Sequence, residues 1–575
     1  SSLVVIPIIL TGKLLKLPWV GFFSALLGSI AWSYYNRTMT GYYDTDMFSV
    51  FLQFTILYLF ILTLYHKESI NILYLSIGLL IYPYYYPQGL SLIYAIFILW
   101  VAYQLIFQRE EKNSYLFIAI AGIALWNTPI LVKILIIGAI FIALNKIEDK
   151  LDNKKLLYLS IISLFMFFIF GDVFQIIWFK IVDYTNKGVK EQGLHFYQVV
   201  QTVREAGSIS WETVANRIIG GVIPLVISVI GYILLVIRHK QFLIALPLIG
   251  VGIFAHWAGL RFTVYAVPVA GISAVYFFAF IAQQTVKKES LRPILIMIGT
   301  ILLIIPNITH ILGYKVPTVF NKAEVQDLNK LNNIASSKDY TLTWWDYGYP
   351  IWFYSDTSTL IDGAKHNDDN FIISTIMFST SQQQVANLSR LAVETYAKEP
   401  HPIVADTIFK DKNPNKLLND LKKPDFKLPN KTRDIYLYMP YRMMNIFPTI
   451  GVFGNLDLKT GHRKRNIMFY PTGVSRQQGS MVQFSNGIIY DVARGVAKLG
   501  KQDVKVYHED IVGYKPNGQS MVQTQIKHID GNICIVFMKS YGRVIVMDKA
   551  TYNSAFVQMF ILDNYDKNLF EEVIS

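Results

Sequence analysis

The sequence predicts an α-helical polytopic membrane domain followed by a water-facing mixed α/β domain that ends in a β-rich subdomain. Three observations carry this. The chain has 575 residues, of which 53% are hydrophobic and only 16% charged. Up to residue 313 the apolar residues fall in runs of about 15–24, and a helix rising about 1.5 Å per residue needs roughly 20 to cross the hydrocarbon layer. Beyond Tyr314 the composition becomes that of a soluble protein, and late in the chain apolar and polar residues alternate with the period of a half-buried strand.

Eleven complete spans are expected, over residues 20–35, 47–65, 70–86, 90–107, 114–127, 129–145, 156–179, 217–237, 241–257, 262–283 and 292–313. The residues before them supply about half of another. The chain opens without methionine on SSLVVIPIIL, which reads as the middle of a membrane helix, so a missing N-terminal segment is expected. The membrane domain is placed at 1–313, with a long external loop at 180–216.

The formal net charge is +13, yet many of the cations flank the apolar runs, which argues against nucleic acid as the partner. Alternate loops differ. One set carries Lys13 and Lys16, Lys67, Arg109 and Lys112, Lys146 to Lys155, Arg238 and Lys240, and Lys287 to Arg292. The other set, which includes 36–46, 180–216 and everything after 313, faces out, because Lys/Arg excess marks the cytoplasmic side. The expected location is a bacterial inner membrane with the C-terminal domain in the periplasm. The single Cys534 excludes an intrachain disulfide.

The soluble part divides into a mixed α/β domain at 314–464 and a β-rich subdomain at 465–575. The alternating runs MVQFSNGIIYDVA, VKVYHEDIVGYKPNGQ and ICIVFMKSYGRVIVM are punctuated by Asn486-Gly487, Asn517-Gly518 and Asp530-Gly531. Such pairs supply the positive φ that tight hairpins need.

The outward segments hold the chemistry. In YYNRTMTGYYDTDM (34–47) Asp44 and Asp46 flank one residue at the mouth of a span. They either converge on a hard divalent cation or belong to an ordinary solvated loop. Arg37 nearby suits a diphosphate or an aspartate partner. Glu205, in TVRE, lies in the long loop as either a surface or a catalytic acid. Arg217 stands where that loop re-enters the membrane. Arg261, in GLRFT, either snorkels to the interface or binds an anionic headgroup. TWWDYGYP (343–350) sets aromatic N–H donors beside a carboxylate, as a small core or as a recognition pocket. Together these groups suit transfer from a lipid-linked phosphorylated donor.

WWDYGYP resembles the signature of the catalytic subunit of oligosaccharyltransferases, most like the single-subunit bacterial PglB type. YYNRTMTGYYDTDM, TVRE, GLRFTVYAVPV (259–269) and MPYRMMNI (439–446) extend the resemblance over essentially the whole chain. It implies a GT-C-like glycosyltransferase that moves an oligosaccharide en bloc, with inversion, from a polyprenyl diphosphate to the Asn amide of Asn-x-Ser/Thr. By position, Asp44 and Glu205 would ligate Mg2+ or Mn2+, with Asp46 supporting the site, and Glu205 would also bond the acceptor amide. Trp344, Trp345 and Asp346 would bind the Ser/Thr hydroxyl, while Ile446 and Met443 of Met-x-x-Ile would meet the Thr methyl. Arg261, Tyr86, Arg37 and His366 would face the donor. Arg217 matches a bacterial arginine that pairs with an acid two residues before the acceptor Asn, so an Asp/Glu-x-Asn-x-Ser/Thr sequon is implied. The chain's own sequons at Asn36, Asn307, Asn387 and Asn430 lack that acid.

The implied partners are the lipid-linked oligosaccharide, an extended or unfolded acceptor polypeptide and membrane lipids, with the enzyme a monomer. A carboxamide nitrogen is a poor nucleophile, and two carboxylates bonded to its N–H groups favour a rotated amide with a freer lone pair. Holding the hydroxyl two residues on fixes that amide near the sugar carbon. Two departures stand out. The family's further essential Asp in the first outward loop has no match, so the chain as given is expected to be inactive and its full-length parent active. Asp362-Gly363-Ala364-Lys365-His366 has Ala where a second Gly is expected. Competing classes are another polyprenyl-phosphate-dependent glycosyltransferase and a transporter with an outer sensor domain. The latter requires mid-span charges, for which only Lys133 and Asp172 are exceptions to placement at span ends.

Overall fold

The computed structural model describes residues 2–40, 42, 44–147, 153–176, 178, 190–191, 193–199, 202, 207–315, 318, 320–398, 402–514 and 520–574. The chain forms two compact units: Ser1–Asn186 with Val203–Val316, and Lys187–Thr202 with Pro317–Ser575.

The first unit is helical. Among the described residues six helices are long and apolar enough to cross a membrane: Asp46–Tyr65, Pro87–Phe107, Asn153–Phe170, Lys240–Ala258, Leu260–Thr285 and Glu289–Gly313. Shorter apolar helices occupy Ser2–Leu14, Pro18–Ile30, Ser69–Tyr85, Lys112–Ala124 and Ile130–Ala143. The elements that matter for the site are α1 (Trp32–Thr38), α2 (Asp46–Tyr65), α3 (Trp211–Ile219), α4 (Val222–Arg238) and α5 (Arg292–Gly313).

Long apolar stripes stay exposed at helical spacing. On α5, Ile294, Ile298, Ile301, Ile305, Ile308 and Leu312 are open, and on α4 Val222, Val226, Val229, Ile233 and Ile237. In water such stripes would be a liability; in a multi-pass membrane protein they face lipid. The apolar run at 217–237 is broken. α3 and α4 meet at 72°, because Gly220 ends α3 at φ 92°. A side chain there would strike Asn307, whose Nδ2 donates to the Ile219 carbonyl. Arg217 therefore belongs to the arm outside the long helix. Lys133 and Asp172 are both engaged, with Nζ of Lys133 donating to the Ala124 carbonyl and Asp172 accepting from Asn127.

The second unit begins with α6 (Lys322–Asn332), stopped N-terminally by a capping box between Asn321 and Glu324. Strand β1 (Tyr340–Leu342) pairs in parallel with β2 (Ile435–Leu437). Between them lie α7 (Gly348–Ser355) and α8 (Asp369–Phe378), and after β2 comes α9 (Phe447–Gly454). Residues of the Lys187–Thr202 segment belong to this unit. The His195 amide donates to Leu458, and Phe196 and Tyr197 meet Phe371 and Phe453 edge-on.

Nine strands make the last sheet: β3 (Phe469–Thr472), β4 (Val474–Gln478), β5 (Met481–Phe484), β6 (Ile489–Asp491), β7 (Val496–Leu499), β8 (Gln502–Tyr514), β9 (Ser520–Ile526), β10 (Ile533–Met538) and β11 (Arg543–Asp548). The order is β3-β11-β10-β8-β7-β6-β5-β4, with β9 also on β8. Asn486-Gly487 closes the β5–β6 hairpin, with Gly487 at φ 87°. Asn517-Gly518 lies outside the described residues. Asp530-Gly531 differs from expectation: β9 and β10 do not pair, and both lie on β8, β10 in parallel. Gly531 is required there for closeness, since a Cβ would stand 2.4 Å from the Tyr507 amide nitrogen.

Candidate active site

In the helical unit, α1 and the start of α2 bring three charged groups together. Arg37 Nη1 lies 2.7 Å from Asp46 Oδ2 and 3.2 Å from Asp44 Oδ2. Asp46 is the first residue of α2, where helix N–H groups favour an acid, and Ser49 donates to its other oxygen. The Arg37 and Asp46 side chains are buried, while Asp44 is 34% exposed and is turned by the Thr45 amide, 2.6 Å from Oδ1. Of the two readings of Arg37, the partner of an aspartate is the one the distances display. Tyr86 bonds Tyr265 at 3.2 Å, and Asp46, Asp44 and Arg261 are all close enough to act on it electrostatically. Arg261 is exposed, with its guanidinium over the Phe262 ring.

Arg217 is held elsewhere in this unit. Only 6% exposed, it stacks over Trp32 at 5.3 Å and donates through Nε toward Thr263. Ser33 clamps its carbonyl. Trp32 in turn lies 3.7 Å from the His310 ring. Glu205 lies outside the described residues.

In the second unit, two motifs far apart in sequence become neighbours by strand pairing. Leu342 is in register with Leu437, and the Tyr438 amide donates to Leu342, so the chain leaves both parallel strands on the same side. The segments that follow are Trp344–Asp346 and Tyr441–Ile446. Arg442 fastens this end to α6 through a two-pronged bond to Glu324 and lies over Phe320, which packs on Tyr347.

Trp344 is 2% exposed and meets Phe453 edge-on at 5.0 Å. Trp345 is half-buried, and its buried indole N–H has no hydrogen-bond partner among the described residues. Asp346 presents its side chain at the surface, yet the dense protein around it pushes its carboxyl up to about 6. Met443 is fully buried and Ile446 half-buried. Gly348 is fixed by packing, since a Cβ would come 2.4 Å from that of Asp362. Ala364 is no defect: its amide and that of Lys365 both donate to Asp362 Oδ1 in a closed turn. His366, matched to the donor by position, meets the Trp345 ring at 5.5 Å.

The geometry thus groups Asp44, Asp46, Arg37, Tyr86 and Arg261 in one unit. It groups Trp344, Trp345, Asp346 and His366 in the other, beside the segment bearing Met443 and Ile446. Sequence reasoning passed over Phe453, Tyr197, Tyr265 and the Arg442–Glu324 pair. Tyr265 and Arg442 stood inside the quoted motifs; nothing marked Phe453 or Tyr197.

The acid cluster suits a hard cation in donor type, since carboxylate oxygens are what Mg2+ and Mn2+ prefer. Among the described residues, no group of three or more His, Cys, Asp or Glu side chains makes a ready ligand set. Asp44, the half-open acid, is the one placed to give an oxygen without unburying a charge.

The chain matches three family descriptions: oligosaccharyl transferase STT3, N-terminal, over 1–312; the STT3/PglB/AglB core domain over 337–460; and the STT3/PglB C-terminal beta-barrel domain over 468–547. It is 37% identical to the undecaprenyl-diphosphooligosaccharide–protein glycotransferase of Campylobacter jejuni, covering 100% of this chain and 83% of that protein. Among solved structures, the oligosaccharyltransferase AglB of Archaeoglobus fulgidus, in complex with an inhibitory peptide and a dolichol-phosphate, aligns with a TM-score of 0.54. The identity is 13%, over 98% of this chain and 66% of that one. The Archaeoglobus fulgidus enzyme in complex with Zn and sulfate aligns with a TM-score of 0.50 at 12% identity, over 98% and 64%. This chain therefore spans slightly under two thirds of the archaeal length.

Proposed function

Since this chain belongs to the STT3/PglB family of oligosaccharyltransferases, we propose that it transfers a glycan en bloc from a polyprenyl-diphosphate carrier to asparagine within Asp/Glu-x-Asn-x-Ser/Thr, with inversion at the sugar. It is a multi-pass membrane glycosyltransferase. On the loop-charge argument its working face and C-terminal domain lie in the periplasm of a bacterial inner membrane, and it acts as a monomer.

Trp345 and Asp346 carry this reading. A buried indole N–H left unpaired costs about 1–3 kcal/mol, and a native fold tolerates it where a ligand supplies the partner. The neighbouring carboxylate is an acceptor. Donor and acceptor on consecutive residues suit a hydroxyl, which can both give and take a hydrogen bond. The hydroxyl is that of Ser or Thr two residues after the asparagine, with Ile446 and Met443 against the Thr methyl and Trp344 as the buried support. A site built to bond a hydroxyl rejects analogues lacking it, because its polar groups are then stranded.

Asp44, with Asp46 and Glu205, would hold the Mg2+ or Mn2+, and Glu205 would bond the acceptor amide. Such an ion, when bound, supplies positive charge against the leaving diphosphate. Arg37 bridges the two aspartates and holds them beside one another. Arg261, exposed near Tyr86, binds donor phosphate, while Arg37 and His366 retain donor contacts by position. Arg217 pairs with the acid preceding the sequon.

The test, run on the protein as the cell makes it, is transfer from a polyprenyl-diphosphate glycan to an Asp-x-Asn-x-Thr peptide, with Val replacing Thr in one control and Ala replacing Asp in another. Transfer to the Val peptide at the Thr rate refutes the hydroxyl-reading role.

A further inference from the structure

α7 carries an aromatic face that the acceptor chemistry does not use. Tyr349, Trp352 and Phe353 stand at i, i+3 and i+4, on one side of the helix. They are 54%, 52% and 82% exposed. Scattered apolar residues such as Ile529 are ordinary on a soluble surface; three large aromatics on one helical face form a patch that calls for a cover.

The rings are held for display. Trp352 Nε1 donates to Thr359 Oγ1 at 2.9 Å, which fixes the indole plane. Tyr349 rests on Gly363, where a Cβ would come 2.6 Å from its ring. Phe353 meets Tyr354 edge-on at 4.9 Å. No charged residue occurs from Tyr347 to Ser355.

The link from the last span to this unit is short. α5 ends at Gly313 and α6 starts at Lys322, so residues 314–321 reach at most roughly 30 Å. α6 packs directly on α7. Trp and Tyr, with an apolar body and a polar tip, are the residues that settle at a membrane–water boundary.

We propose that the Tyr349–Trp352–Phe353 face of α7 is seated in the interfacial layer of the lipid bilayer, a second membrane attachment in addition to the spans. α7 follows Trp345 and Asp346 without a break, so this contact ties that segment to the membrane boundary. The inference does not depend on the acceptor assignment.

The test uses the full chain carrying Cys534→Ser, with Phe353→Cys or, separately, Tyr349→Cys bearing a nitroxide, in phosphatidylethanolamine/phosphatidylglycerol nanodiscs. Asn486→Cys, at the β5–β6 turn, is the water-facing control. The expected result is an oxygen-to-nickel-chelate collision ratio several-fold above the control at both helix positions, falling to the control value when lipid is replaced by amphipol. A ratio equal to the control in nanodiscs overturns the proposal. So does shielding that appears only when an Asp-x-Asn-x-Thr peptide is added, which would give the face to the acceptor chain.

Discussion

Asp346 offers the sharpest test, because its carboxyl is pushed up to about 6 by its surroundings while it is asked to accept a hydrogen bond as an anion. With that value the ionised fraction falls about ten-fold between pH 7 and pH 5. Charge-assisted hydrogen bonds are worth about 1.5–3 kcal/mol against roughly 1 for neutral ones, so protonation removes most of the preference for the peptide hydroxyl. KM for an Asp-x-Asn-x-Thr peptide should therefore rise about ten-fold as pH falls from 7 to 5. Asp346→Asn should show a higher KM at pH 7 and little slope over the same range. The stability effect runs the other way. A carboxyl raised in the folded state favours folding below the ordinary carboxylate range, and that contribution is lost as pH rises through about 6. Asp346→Asn should thus melt no lower, and slightly higher, than the parent at pH 8. Steady-state transfer at fixed metal, with thermal melts in parallel, gives both numbers. A parent KM flat from pH 5 to 7, or the same slope in Asp346→Asn, refutes the reasoning.

Arg37→Met should destabilise the helical unit by about 3–5 kcal/mol by leaving Asp46 buried and uncompensated, and adding Asp46→Asn should restore part of the loss; additive melting-temperature shifts would contradict the pairing. Phe453→Ala should cost about 3–5 kcal/mol and raise acceptor KM by loosening Trp344, with Phe453→Leu milder on both counts in melts and transfer assays. Chelation of divalent ions should abolish transfer, with Mn2+ or Mg2+ restoring it; transfer that persists in chelator defeats the metal assignment. Arg217→Ala should cut the preference for Asp over Ala two residues before the asparagine by about ten-fold or more, read as a kcat/KM ratio.

Hydropathy is summed over stretches of chain, and the change from apolar helices to a unit with a large sheet was legible for that reason. The β-subdomain was legible too, since β5 alternates exposed and buried residues as its sequence does. β10 and β11 read as near-continuous apolar runs because they are covered on both faces, which leaves periodicity silent about their partners. Asp530-Gly531 looked like a hairpin for the same reason: the dipeptide marks a turn, and cannot say whether the next strand returns beside the last or passes over to the far side of β8.

The sequence by itself determined the membrane-then-soluble architecture, the oligosaccharyltransferase motifs and the residue types of the site. Only the tertiary structure decided that Arg37 bridges both aspartates, that Arg217 stacks on Trp32, that Phe453 meets both Trp344 and Tyr197, and that parallel pairing of β1 with β2 sets MPYRMMNI beside WWD. Composition and period are properties of neighbours along the chain. Ion pairs, stacking and strand register join residues dozens to hundreds of positions apart, and their geometry is set by which surfaces remain to be buried once the local elements have formed.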